Sequence, residues 1–284
     1  MALVPLYEVL DKADREGYAI GAFNCNNMEI VQSIITAAEA EKAPVIIQAS
    51  QGAIKYAGLN YIIALVRQAA EGTSVPVVLH LDHGTDFDQV MQCIRFGFTS
   101  VMYDGSGMPL EDNISMTCKV LEIARVFGVS VEAELGRIVG TEDDISVDDA
   151  EAFLADPEEA ERFVTETGVD ALAVAVGTAH GLYKGEPKLD FDRLAEINRL
   201  VSCPLVLHGA SGVSDESIKR AIELGVRKIN IDTNIREAFA GSMRSAMEDN
   251  PAEIDPRKIL GPAREAATKV IREKIRLFGS SDKG

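Results

Sequence analysis

With 284 residues, 46% hydrophobic and 26% charged, the chain can bury a sizeable core and has the make-up of a globular protein, not a disordered one. A formal net charge of −17 argues against a nucleic-acid partner, because phosphate backbones are gripped by clustered Lys and Arg. Any anionic ligand would need a locally positive site, which a divalent cation and helix N-termini can supply.

Apolar runs such as VIIQA and PVVLHL fall well short of the ~20 residues of a membrane helix. The opening MALVPLYEVLDKADREG is acidic early and has no signal-peptide cleavage region, so no membrane association and a cytoplasmic location are expected. Cys25, Cys93, Cys118 and Cys203 are scattered without CxxC spacing and read as reduced thiols.

Along the chain, one theme recurs: a short β-branched run, a polar or Gly-containing break, then an amphipathic helix. The predicted pairs are strand Tyr18–Phe23 with helix Met28–Glu41, Val45–Ala49 with Asn60–Glu71, Val77–Leu81 with Asp86–Phe96, and Ser100–Tyr103 with Leu110–Phe127. They continue as Ser130–Glu134 with Pro157–Thr167, Ala171–Val176 with Asp190–Leu200, Leu205–Leu207 with Asp215–Leu224, and Lys228–Ile231 with Thr233–Glu248. Pro157 suits a first helical turn, and Gly128, Gly168 and Gly225 suit helix ends. No linker or shift in composition interrupts the alternation, so the expected fold is one domain over residues 1–284, a (β/α)₈ TIM barrel with extra C-terminal helix from Asp255 to Leu277. That tail would cap the barrel or reach a neighbouring subunit; a doubly wound open sheet is the alternative fold. Arg137–Ala155, the longest strand-to-helix connection, reads as a mobile lid.

Barrel chemistry sits where strands end, and those positions are polar throughout: Asn24, Ser50, Asp82 with His83, Asp104, Glu134, His180 with Gly181, His208 with Gly209, and Asn230 with Asp232. Three of the chain's four histidines, His83, His180 and His208, fall at ends of strands 3, 6 and 7. Three convergent imidazoles with an open fourth position form a catalytic Zn²⁺ site; the competing reading is three unrelated polar histidines. His80 reads as a core histidine fixed by a hydrogen bond. Asp104 and Glu134 would bind a second metal position, orient the histidines, or stand solvated. Asp82 is either a general acid/base or an outer partner of the metal site. The Gly-rich turns HGLYKG and HGASG would let backbone N–H groups close round a phosphate, with Ser211, Asn230, Asp232 and Thr233 adding polar atoms; Lys184 either joins them or is a solvated loop lysine.

VVLHLDHG, VEAELG with GTEDD, GTAHGLYKGEP, LVLHGASG, KINIDT and DPRKILGPAREA together resemble the class II, metal-dependent fructose-bisphosphate aldolase family, which includes tagatose-bisphosphate aldolases, over essentially the whole chain. The resemblance implies zinc ligands at His83, His180 and His208, with Asp104 and Glu134 at alternative metal positions. It implies Asp82 as the acid/base at the aldehyde-half hydroxyl and Glu142 as the proton exchanger at the ketone-side carbon. Gly181, Gly209, Ala210, Ser211, Asn230, Ile231, Asp232 and Thr233 would bind dihydroxyacetone phosphate. Ser50 and Arg257 would lie near the other phosphate, Arg257 reaching in from an adjacent subunit of a homodimer or homotetramer. A second divalent ion and a monovalent cation (Na⁺ or K⁺) are further implications. Two departures stand out: Val139 where relatives often have glycine, and the atypical YDGSGMP after Tyr103.

The expected substrate is a sugar bisphosphate, fructose-1,6-bisphosphate before tagatose-1,6-bisphosphate. A barrel zinc hydrolase and a non-catalytic sugar-phosphate binder are the rival readings. Predicted strand 6, ALAVAV, carries no lysine for a Schiff base, which leaves the metal route.

Overall fold

The computed structural model describes residues 3–142, 145–147, 153–181 and 187–284. In chain order the elements are α1 (Leu6–Glu16), β1 (Ile20–Asn24), α2 (Met28–Glu41), β2 (Val45–Ser50), α3 (Gln51–Ala57), α4 (Leu59–Glu71), β3 (Val77–Gly84), α5 (Phe87–Phe96), β4 (Ser100–Tyr103), α6 (Leu110–Phe127) and β5 (Ser130–Leu135). They continue with β6 (Val139–Glu142), β7 (Ile145–Val147), α7 (Pro157–Thr167), β8 (Ala171–Val174), β9 (Ala179–His180), α8 (Phe191–Leu200), β10 (Leu205–Leu207), α9 (Asp215–Glu223), β11 (Val226–Ile231), α10 (Thr233–Asp249) and α11 (Pro256–Phe278). Strands β1, β2, β3, β4, β5, β8, β10 and β11 close into a parallel barrel, which settles the choice against an open sheet.

Alternation along each strand sends one set of side chains outward under the helices and the other into the barrel. Val77, Leu79 and Leu81 of β3 join the large outer core with Val131, Ala133 and Leu135 of β5. The inner set changes character with height. At the base, Ile20, Ala22, Ile46, Val78, Ala171, Ala173 and Val206 pack on Leu6, Val9, Leu10 and Ala13 of α1. Above them lie buried polar groups, among them Gln48, His80, Asp82, Glu132, His208 and Lys228.

Helix α1, absent from the predicted elements, is therefore the plug of the barrel floor, with the Val4 N–H bonded to the Val77 carbonyl at 3.0 Å. The C-terminal tail does not cap the barrel; α11 lies along α2 and α10 on its flank. Helix α3 was also unforeseen, being a short turn of chain capped by Ser50. The long connection after β5 holds more order than a loop: β6 and β7 pair antiparallel, and β6 also runs parallel to β9.

The flank is fastened by one carboxylate. Glu41, at the end of α2, accepts from Arg272 Nε at 2.8 Å, Arg276 Nη2 at 2.7 Å and Ser281 Oγ at 3.1 Å. Hydrogen bonds from Arg276, Arg272 and Ser281 outweigh the opposing effect of burial and bring its pKa down to about 2. A lowered carboxylate pKa adds stability that is complete above the unfolded value, roughly 4.3, and is lost as pH falls through the folded one. Glu41→Gln is expected to destabilise the protein by on the order of 2 kcal/mol at neutral pH. Urea titrations should show that gap shrinking below pH ~4.5; a gap independent of pH would remove Glu41 as its source.

Candidate active site

The mouth of the barrel is built from the ends of β1, β2, β3, β4, β5, β10 and β11. Asp82 points inward from β3, so the next residue should point outward. His83 instead adopts left-handed backbone, φ 48°, and the β3–β4 register shifts between Leu81 and Gly84. A non-glycine residue in that region costs free energy and persists only where its surroundings hold it. The result is that two consecutive residues of one strand serve the same opening.

Asp82 is held by three amides. Asn24 Nδ2 and Gln48 Nε2 donate to Oδ2 at 2.8 and 3.0 Å, and Asn230 Nδ2 donates to Oδ1 at 3.2 Å. Gln48 Nε2 also donates to Asn24 Oδ1 at 2.7 Å, tying the two amides together. His80 bonds Ser100 Oγ through Nδ1 at 2.8 Å, the hydrogen-bonded core histidine expected, and burial, reinforced by the Lys228 charge, drives its pKa well down.

His83 and His208 meet with ring centroids 4.7 Å apart and planes 80° to one another. Each outer nitrogen faces a carboxylate: His83 Nδ1 lies 2.8 Å from Asp104 Oδ2, and His208 Nε2 lies 2.9 Å from Glu132 Oε1. An ionised carboxylate only accepts, so these contacts assign the ring protons to His83 Nδ1 and His208 Nε2. The inner nitrogens, His83 Nε2 and His208 Nδ1, then face each other as lone pairs 3.0 Å apart. Such an arrangement is repulsive unless a cation stands between or beside them. Glu134 Oε2 lies 3.4 Å from the same His208 Nδ1. Two sets of donors, Asp82 with His83 and His208, and His83 with Asp104 and Glu134, each place ligand atoms within 4.8 Å of one another and could hold a metal ion.

At two buried carboxylates the effect of burial is overruled. Asp104 stays below the usual range because the bonds from His83 and Ser106 exceed its desolvation, and Glu132 does so because Lys228, His80 and His208 surround it. His208 is lowered by desolvation, against the pull of Glu132. A cavity of about 300 Å³ opens beside His83, walled by Thr85, Asp104, Ser106, Glu134 and Arg137.

A second, smaller hollow is lined by Ala179, Gly181, Gly209, Ser211, Asn230, Asp232 and Thr233. It joins the first group through Asn230 and through Gly209, the residue after His208. Gly209 has φ 62°, and a Cβ there would stand 2.3 Å from the Ala179 carbonyl oxygen, so the two backbones approach as only glycine allows. Helix α10 begins at Thr233, aiming the positive end of a long helix at the hollow. Ala210 is buried in the 3₁₀ turn behind it, and Ile231 faces the outer core, one step of the strand away from the hollow.

Not every expected residue is gathered here. His180 and Glu142 are placed by their backbone, His180 in β9 opposite Gly140 and Glu142 at the end of β6; their side chains, and Lys184 altogether, lie outside the described residues. Ser50 ends β2 and accepts the Ala53 N–H at 3.1 Å. Arg257 lies on α11, exposed and paired with Asp255 at 2.7 Å. Sequence reading missed Gln48, Glu132 and Lys228; the available signal was a polar residue at an inward position of an apolar strand.

The family model for class II fructose-bisphosphate aldolase matches residues 4–283. The chain belongs to that family. Among its relatives, a fructose-bisphosphate aldolase from Thermus caldophilus is 48% identical over an alignment of 301 positions, covering 98% of each chain. A sulfofructosephosphate aldolase from Alkalicoccus urumqiensis is 44% identical over 283, covering 100% of this chain and 99% of its own. The crystal structure of the YdjI aldolase from Escherichia coli K12 superposes with a TM-score of 0.86 at 35% identity, over 99% of both chains. For this class II aldolase, His83→Ala and His208→Ala should each weaken Zn²⁺ binding by more than the roughly 10–100-fold typical of losing an outer partner, with Asp104→Asn inside that range. Competition against a chelating dye measures all three, and wild-type affinity in either alanine variant would take that histidine out of the metal site.

Proposed function

We propose that this chain cleaves fructose-1,6-bisphosphate reversibly to dihydroxyacetone phosphate and glyceraldehyde 3-phosphate, using a zinc ion held by His83, His180 and His208. The observation that carries the reading is the approach of His83 Nε2 and His208 Nδ1 to 3.0 Å, with each ring anchored from behind by a carboxylate. Asp104 and Glu134 supply a neighbouring position for a second divalent ion. Zinc, when bound, polarises the ketose carbonyl as a Lewis acid.

The chain's own residues do the rest. One phosphate sits in the hollow of Gly181, Gly209, Ser211, Asn230, Asp232 and Thr233, with Ala210 and Ile231 supporting its walls and a monovalent cation (Na⁺ or K⁺) beside it. Three amide donors aim Asp82 and restrict its carboxylate to one orientation. Asp82 takes the C4 hydroxyl proton as the C3–C4 bond breaks, and Glu142 delivers a proton to C3 of the dihydroxyacetone half. Lys184 joins the residues that hold this first phosphate, and the second phosphate meets Ser50 and Arg257, the arginine coming from the neighbouring subunit of a homodimer or homotetramer. The exposure of Arg257 supports a contribution across subunits. We read residues 1–284 as a single catalytic domain, working in the cytoplasm, in keeping with four free cysteines. Among the described residues no helix is long and apolar enough to cross a membrane.

The sulfofructosephosphate aldolase relative favours one alternative substrate, in which a sulfonate replaces one phosphate ester; tagatose-1,6-bisphosphate is the C4 epimer. A coupled cleavage assay on all three sugars decides, and a much higher kcat/KM for either alternative overturns the fructose assignment. Asp82→Asn should lower kcat by about 10²–10⁴-fold with KM little changed. Prolonged chelation should abolish cleavage and borohydride with substrate should not inactivate; full activity in zinc-free enzyme rejects the mechanism.

A further inference from the structure

Beneath the two histidines lies a charge with no part in the chemistry above. Lys228 of β11 has a fully buried side chain, and a buried ammonium persists only when close partners replace water at its three N–H groups. Its Nζ lies 3.0 Å from Glu132 Oε2 and 3.2 Å from Glu132 Oε1, and donates to Asn230 Oδ1 at 2.8 Å.

These two partners lead to different arms of the site. Glu132 accepts from His208 Nε2 at 2.9 Å, and Asn230 Nδ2 donates to Asp82 at 3.2 Å. An amide has one accepting end and one donating end, so Lys228, by claiming Oδ1, turns the N–H₂ of Asn230 toward Asp82. Lys228 grips both oxygens of Glu132 and so fixes the acceptor that His208 Nε2 faces, which turns His208 Nδ1 toward His83.

We propose that Lys228 is a positioning residue that sets the tautomer of His208 through Glu132 and the orientation of Asp82 through Asn230, coupling the metal-binding arm to the proton-transfer arm. The proposal rests on the zinc and Asp82 readings given above. If Lys228 served only to neutralise Glu132, removing both charges together would restore all properties.

The test compares zinc-loaded wild type with Lys228→Met and Lys228→Met/Glu132→Gln, each assayed below its melting temperature. In both variants zinc affinity, measured by chelator competition, is expected to fall roughly 10-fold or more, and kcat to fall with KM within about threefold, as for a loss felt only in the transition state. A double variant that regains wild-type zinc affinity and kcat overturns the proposal. Should neither variant fold, the wild type still answers through ¹⁵N–¹H correlations of its imidazoles. The His208 proton is expected on Nε2 before and after zinc is added, and a proton on Nδ1 overturns the proposal. No change in the histidine signals on adding zinc would instead be a failure of the zinc reading, so the two failures are distinguishable.

Discussion

Closing eight strands into a barrel creates an interior from which side chains cannot escape to water, so every polar group placed there must be answered by another. Glu132 is the point where this demand is greatest. Its carboxylate meets Lys228 and His208 and stands 3.6 Å from His80, and all four side chains are fully buried. An uncompensated charge at that depth would be severely destabilising, whereas the paired set fixes where each proton resides. The direction of the His208 ring, and with it the pair of facing nitrogens at the mouth, follows from that balance.

A gradient runs up the barrel. The floor is apolar and packed by α1, the middle is a closed network of charges and amides, and the top is a set of groups arranged about a cavity. The apolar floor seals the charged middle from below, and the middle in turn holds the top in register. The strained backbone at His83 belongs to this scheme, because Asp104 behind the ring and His208 in front of it hold a conformation that an isolated strand would relax.

The same scheme explains how an acidic protein can receive an anion. A net charge of −17 repels phosphate at long range, but the hollow at Gly209 and Thr233 presents backbone and the start of α10. Such dipoles act within a few ångströms, where screening has already reduced the field of distant carboxylates.

The alternating periods and the glycine stops were enough to read the barrel from the chain, and most helices begin and end within a residue or two of expectation. The same periods marked which residues end strands, so Asp82, His83, Asp104, Glu134 and His208 could be named before any fold was seen. Helix α1 escaped because a lone amphipathic segment before the first strand does not say what it covers, and only barrel closure leaves a floor to be plugged. The pairing of β6 with β9 was equally out of reach, since register depends on strands remote in sequence. Above all, Gln48, Glu132 and Lys228 read as ordinary strand residues until closure brought them face to face; ring tautomers and amide orientations are decided by neighbours in space, which spacing along a chain does not encode.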